Sequence, residues 1–158
     1  MVNEKSRNSI IPNLWFDHNA KEAVDYYVSV FPNSTIISIQ YYPASQAEGL
    51  ADFQLDLAGQ PLAIEYELNG NRFTAINADD HFKLSEAVSF VVPCKDQDEI
   101  DYYWNKLSSV PESEQCGWCK DMFGLSWQIV PEHLSELMQK PGAFSRMMDM
   151  HKLVIADF

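Results

Sequence analysis

Glycine is scarce in this chain, with six residues in 158 and no clustered Gly-x-Gly segment. That shortage excludes the Gly-rich turn by which phosphate loops and dinucleotide-binding sheets bring backbone against a cofactor. Cysteine is scarcer still: Cys94, Cys116 and Cys119 are the three present. An odd, low count argues against a disulfide framework. Basic side chains are outnumbered, 11 against 23 acidic ones, for a net charge of −12. Such a surface repels phosphate backbones and anionic headgroups, so neither a nucleic acid nor a membrane is expected as a partner. No apolar run approaches the roughly 20 residues needed to cross a bilayer. The opening stretch, Met1 to Asn8, is polar and lacks the apolar core of a secretion signal. A cytoplasmic location is therefore the expectation. Gly-x-Ser-x-Gly and His-Glu-x-x-His segments are also missing, which leaves no signature of a serine hydrolase or a zinc protease.

What is present is an internal repeat. Asp25-Tyr26-Tyr27 recurs as Asp101-Tyr102-Tyr103, 76 positions further on, and the surrounding elements recur with it. An apolar run from Ile10 to Phe16 precedes the first copy and one from Ala87 to Val92 precedes the second. At that displacement Leu14 falls on Phe90 and Phe16 on Val92. Each run gives way to a helix start, Asn19 with Glu22 in one half and Asp96 with Glu99 in the other, one residue out of phase. Helical spacing then puts Ala20, Ala23, Val24, Tyr27 and Phe31 on one face, and Ile100, Tyr103, Trp104 and Leu107 on the other helix's face. Pro32-Asn33 and Pro111 end these helices.

Strand patterning follows the first helix. Ser34 to Tyr41 is dense in β-branched residues, and Leu62, Ile64, Tyr66 and Leu68 alternate with more polar neighbours. Asn69-Gly70 signals a tight hairpin returning through Arg72 to Asn77. Phe53, Leu55 and Leu57 alternate too, which suggests an extra strand. After the second helix, Glu114 to Lys120 and Leu125 to Val130 read as a hairpin across Asp121 to Gly124. Two short helices are expected in the tail, one opened by Pro131 and one after Pro141. The second carries Phe144, Met147, Met148 and His151 at helical spacing, a face suited to core or subunit interface. The whole reads as one α+β domain, 1–158. Tandem βαβββ modules (about 10–80 and 86–130) form a curved mixed sheet around a cleft, with C-terminal helices over 131–158.

Several strings occur in order: Pro12-Asn13-Leu14-Trp15-Phe16, Tyr26 to Ser34, Asn69 to Ala75, His81-Phe82-Lys83, Ser89 to Val92, Asp101 to Trp104, Cys116-Gly117-Trp118 and Gly124 to Pro131. Together they resemble the PhnB-like family, often labelled 3-demethylubiquinone-9 3-methyltransferase. That family belongs to the vicinal oxygen chelate superfamily of glyoxalase I and the bleomycin-resistance proteins. The resemblance implies paired modules enclosing a cleft, often in a homodimer. It also marks Ala47 to Leu57 as longer than is usual there. Superfamily enzymes hold a divalent metal through His and Glu side chains on four strands. The corresponding positions here fall near Pro12 or Asn13, on Ala87 and on Gln128, which are poor ligands, so no metal and no other cofactor is expected. His18, His81, His133 and His151 lack ligand spacing.

Cys116-Gly117-Trp118-Cys119 has the outline of a redox or zinc motif. On a strand its two thiols would face opposite ways, and no second cysteine pair exists, so packing is the preferred role. The family label meets a chain without a Gly-rich turn or an alternating βαβα pattern, and so without visible methyltransferase machinery. Glu65 and Glu67 share a strand face and read as solvated. For the cleft, alternation nominates Asn13, Trp15, Phe73, Asn77, Ser89, Trp118 and Gln128, with Asn13, Ala87 and Gln128 converging on one pocket. An aromatic set with a few neutral polar groups suits a small apolar or aromatic molecule. The expectation is a homodimeric, metal-free small-molecule-binding protein. Alternatives are a metal-dependent isomerase, lyase or dioxygenase using residues such as His81 or Glu65, a methyltransferase as the label says, and a dimeric scaffold without a ligand.

Overall fold

The computed structural model describes residues 9–158, so the polar stretch Met1 to Asn8 lies outside the described residues. The fold is α+β, with one mixed sheet of four strands and another of three, and no closed barrel. The chain divides into two units, one ending at Lys83 and the other running from Leu84 to Phe158.

The first unit runs β1 (Asn13–Asp17), α1 (Ala20–Val30), β2 (Thr35–Tyr41), β3 (Pro61–Leu68), β4 (Asn71–Ala78). This is a complete βαβββ module with strand order β1-β4-β3-β2. The β3–β4 hairpin turns at Asn69 and Gly70, both with positive φ (49° and 77°), as a two-residue turn matched to strand twist requires. The register places Leu14 and Phe16 beside Ala75 and Asn77, and Ile64 and Tyr66 beside Ala75 and Phe73. All of these side chains are buried. They form the face against which α1 sets Ala20, Ala23, Val24, Tyr27 and Val30. Burying each large apolar side chain contributes roughly 1.5–3 kcal/mol. The other face carries Asn13, Trp15, Thr74, Ile76, Ala63, Glu65 and Glu67.

The expected strand through Phe53, Leu55 and Leu57 does not form. Asp52–Leu57 is a 3-10 helix, and Gln46–Glu48 is another. Leu57 instead joins Tyr42 and Leu50 in a small apolar cluster with Ala58 and Leu62 packed against it. Phe53 and Leu55 are left exposed. The apolar residues that looked like alternation serve a local hydrophobic closure.

The second unit runs β5 (Ser89–Cys94), α2 (Gln97–Leu107), β6 (Trp118–Lys120), β7 (Ser126–Pro131), α3 (Leu134–Leu137), α4 (Ala143–Met148). Its strand order is β5-β7-β6, one strand fewer than in the first unit. Where the missing strand would lie, the chain makes a short 3-10 helix at Pro111–Ser113. The expected strand from Glu114 is shortened because Cys116 and Gly117 adopt positive φ (52° and 86°). Their N–H groups donate to the carbonyls of Met150 and His151 in the tail. Cys94, Val92, Cys119, Trp127 and Ile129 face α2, which buries Ile100, Tyr103, Trp104 and Leu107. Pro131 ends β7 and does not open a helix. The tail has its own core of Leu137, Ala143, Leu153 and Phe158, onto which Met138, Met147 and Met150 pack.

Candidate functional site

In the first unit the helix-free face is organised around Trp15. Its indole Nε1 donates to the carbonyl of Asp79 at 2.8 Å. Phe82 meets the indole edge-on, with ring centroids 4.9 Å apart, and His81 packs on Phe82 at 4.6 Å. The Asp79 carboxylate accepts from the His81 N–H, which bends this segment back toward β1. Asn13, at the start of β1, is exposed on the same face. Glu65 lies beside Thr74 there and is paired with Arg72 at 2.7 Å.

Phe73 and Asn77 require a correction. The β1–β4 register sets Asn77 beside Phe16, and Phe73 lies beside Tyr66 with their rings stacked at 5.5 Å. Both belong to the buried helix side, and Thr74 and Ile76 take the places assigned to them. Asn77 ties two elements of the unit together. Its Oδ1 accepts from the N–H of Ala20 at 3.0 Å and its Nδ2 donates to the carbonyl of Pro61 at 3.0 Å. Asn19, the expected cap of α1, makes no side-chain capping bond. Asp96 does cap α2, accepting from the Glu99 N–H at 3.0 Å, while Glu99 accepts from the Lys95 N–H at 2.8 Å.

In the second unit the three nominated residues share the helix-free face. Ser89 lies beside Ser126, Val91 beside Gln128, and Trp118 beside Gln128 from the other side. Gln128 Nε2 donates to Ser89 Oγ at 2.9 Å. Lys120 lies beside Ser126 and is ion-paired with Glu86, whose carboxyl that hydrogen bond holds below its usual range. Ala87 precedes β5 and offers only a methyl group. Lys120, Ser126, Thr74, Ile76 and Phe82 escaped the sequence reading. Strand alternation from Gln128 and Trp118 leads directly to Ser126 and Lys120, so for those two the signal was present.

The residues do not fit the divalent metal that the resemblance to vicinal oxygen chelate enzymes implies. Asn13 and Gln128 are neutral amides, Ala87 has no donor, and the Gln128 amide is bonded to Ser89. Divalent ions in such sites call for imidazole or carboxylate donors. Among the described residues no three His, Cys, Asp or Glu side chains form a group that could hold a metal ion. The cysteines are free. Burial, reinforced by nearby carboxylates, pushes the Cys94 and Cys119 thiols up to about 12. Cys119 faces α2, and Cys116 sits in the left-handed turn with its thiol 3.5 Å from the Met148 sulfur.

Outside these faces, His18 bridges two carboxylates at the end of β1. Nδ1 is 2.5 Å from Asp17 and Nε2 is 2.6 Å from Asp56. The hydrogen bond to Asp17, then that to Asp56, raises the imidazole above its ordinary value.

The model of one protein family, 3-demethylubiquinone-9 3-methyltransferase, matches residues 8–130. The chain belongs to that family. Consistent with this PhnB-like membership, the structure is similar to that of a putative 3-demethylubiquinone-9 3-methyltransferase, PhnB protein, from Bacillus cereus. The two are 29% identical with a TM-score of 0.61, over 78% of this chain and 99% of that one. A Pseudomonas aeruginosa protein shares the fold at 16% identity and TM-score 0.57, over 78% of this chain and 97% of its own. No curated protein matches the chain. The PhnB-like name speaks of methyl transfer. Here β1 passes to α1 through His18 and Asn19, and β5 to α2 through Lys95 and Asp96. Neither connection holds a glycine.

Proposed function

We propose that this PhnB-like protein binds a small apolar or aromatic molecule on its helix-free sheet faces, in the manner of the bleomycin-resistance branch of the vicinal oxygen chelate superfamily, and works as a homodimer in the cytoplasm. One observation carries the reading: aromatic side chains stand beside neutral hydrogen-bonding groups on these faces. Trp15 with Phe82 and Asn13 does so in one unit, and Trp118 with Gln128 and Ser89 in the other. Aromatic walls supply burial, and a few polar groups fix orientation. A divalent cation has no matching donors at the superfamily positions, so the reading requires no metal chemistry. Methyl transfer finds no Gly-rich cofactor turn to support it.

Thermal shift against a panel of aromatic compounds tests the proposal. A ligand at 100 times its Kd adds about 2.7 kcal/mol to stability, which is readily seen. The expected result is a clear shift for at least one aromatic class, lost in Trp15→Ala or Trp118→Ala. A panel without any response would remove the proposal. A stoichiometric divalent ion in protein purified without chelators would favour the isomerase, lyase or dioxygenase reading instead.

A further inference from the structure

Ser126 is 1% exposed, and its hydroxyl has no hydrogen-bond partner. Leaving a buried hydroxyl unpaired costs free energy, and such a group in a native fold calls for a reason. Its surroundings supply one. Ser126 lies on the central strand β7, flanked by Ser89 on β5 and Lys120 on β6, all on the helix-free face. Two residues along the same strand stands Gln128. Its Nε2 is engaged by Ser89, so its Oε1 is the end left to act as an acceptor. Val91, 54% exposed, and Trp118 flank Gln128 on either side.

The ion pair of Lys120 with Glu86 joins β6 to the segment leading into β5. The central strand lies between these two, so the pair spans β7 near Ser126. It also neutralises the one ammonium of this row, so the site presents a hydroxyl donor and an amide acceptor without net charge. Glu86 is 58% exposed and Lys120 24%, so water reaches the pair from the Glu86 side and it opens at modest cost.

We propose that Ser126 and Gln128 form a recognition edge for a neutral aromatic carboxamide or lactam. The ligand carbonyl accepts from Ser126 Oγ, the ligand N–H donates to Gln128 Oε1, and the ring packs between Val91 and Trp118. The Glu86–Lys120 pair is the strap that parts to admit it and re-forms over the bound ligand. This deepens the binding function proposed above and rests on it.

Benzamide, benzoate and ethylbenzene, titrated into the full-length protein and followed by calorimetry, decide the matter. Benzamide is expected to bind about tenfold tighter than ethylbenzene, the worth of two neutral hydrogen bonds. Ser126→Ala should cut that margin to about threefold, the worth of the one bond left to Gln128, leave ethylbenzene binding unchanged and leave the ligand-free melting temperature equal or higher. Glu86→Gln, which frees Lys120, should turn the preference toward benzoate. Ethylbenzene binding without a benzamide preference overturns the recognition edge and leaves the proposed function standing. No binding of any of the three overturns the edge, and the function falls with it only if the wider aromatic panel is also without response. A melting temperature that falls in Ser126→Ala shows a structural hydroxyl and overturns the assignment, and a benzoate affinity unmoved by Glu86→Gln overturns the role of the strap.

Discussion

Asn77 shows how much one polar side chain can hold. It is 3% exposed and ties the start of α1 to the entry of β3. Asn77→Ala strands a buried N–H and a part-buried carbonyl, and unfolding by urea should show a loss on the order of 2 kcal/mol. His18 works at the surface, and its effect depends on pH. Its folded-state value is raised, so its contribution is complete below the unfolded value of about 6.5 and fades as pH rises through the folded one. Both the imidazole and its partners are well exposed, so the contribution stays within about 1 kcal/mol. Asp56→Asn should therefore lower stability at pH 6 and leave it unchanged at pH 9 in parallel denaturation curves. The thiols separate by environment. With Cys94 and Cys119 pushed up to about 12 by burial, iodoacetamide at pH 8 should alkylate Cys116 alone until the protein unfolds, as read by mass spectrometry.

Among the elements, the turn before β6 is the most constrained. Gly117 has φ +86°, and an added Cβ would lie 2.9 Å from the Ile129 carbonyl oxygen and 3.0 Å from Leu153. Gly117→Ala thus combines backbone strain with a clash against main chain, at a cost of about 3 kcal/mol, measurable by thermal or urea unfolding. Much of the element pattern was legible in the sequence, and the reasons are local. The buried faces of α1 and α2 follow from residue spacing, the β3–β4 hairpin from Asn69-Gly70, and the cap of α2 from Asp96 and Glu99. The face of β4 was not legible. Phe73-Thr74-Ala75-Ile76-Asn77 offers an apolar residue to either side, and the pairing with β1, distant in sequence, decides between them. Phe53, Leu55 and Leu57 misled for a related reason, since alternation describes composition and says nothing of a partner strand.

At the scale of the molecule, the tail is part of the second unit's fabric. Cys116 and Gly117 donate to tail carbonyls, and Gln97 bonds the main chain of Leu153 and Ile155. Ending the chain after Pro131 removes these partners and the Leu137–Leu153 core. A fall in melting temperature of about 10 °C or more is the expected result, by calorimetry. The candidate site was legible in part. Ser89, Trp118 and Gln128 stand on one face because β5, β6 and β7 keep the simple alternation their residues announce. The unpaired Ser126 hydroxyl was invisible, since only packing reveals whether a polar group has found a partner.

The two helices also differ in when they can form. α2 carries its cap within its own first turn, so a nascent segment can nucleate it unaided. α1 receives its terminal bond from a residue 57 positions away, after three strands have been laid down. Its completion waits on long-range docking, and in a refolding experiment the bond made by Asn77 should emerge after the rate-limiting barrier.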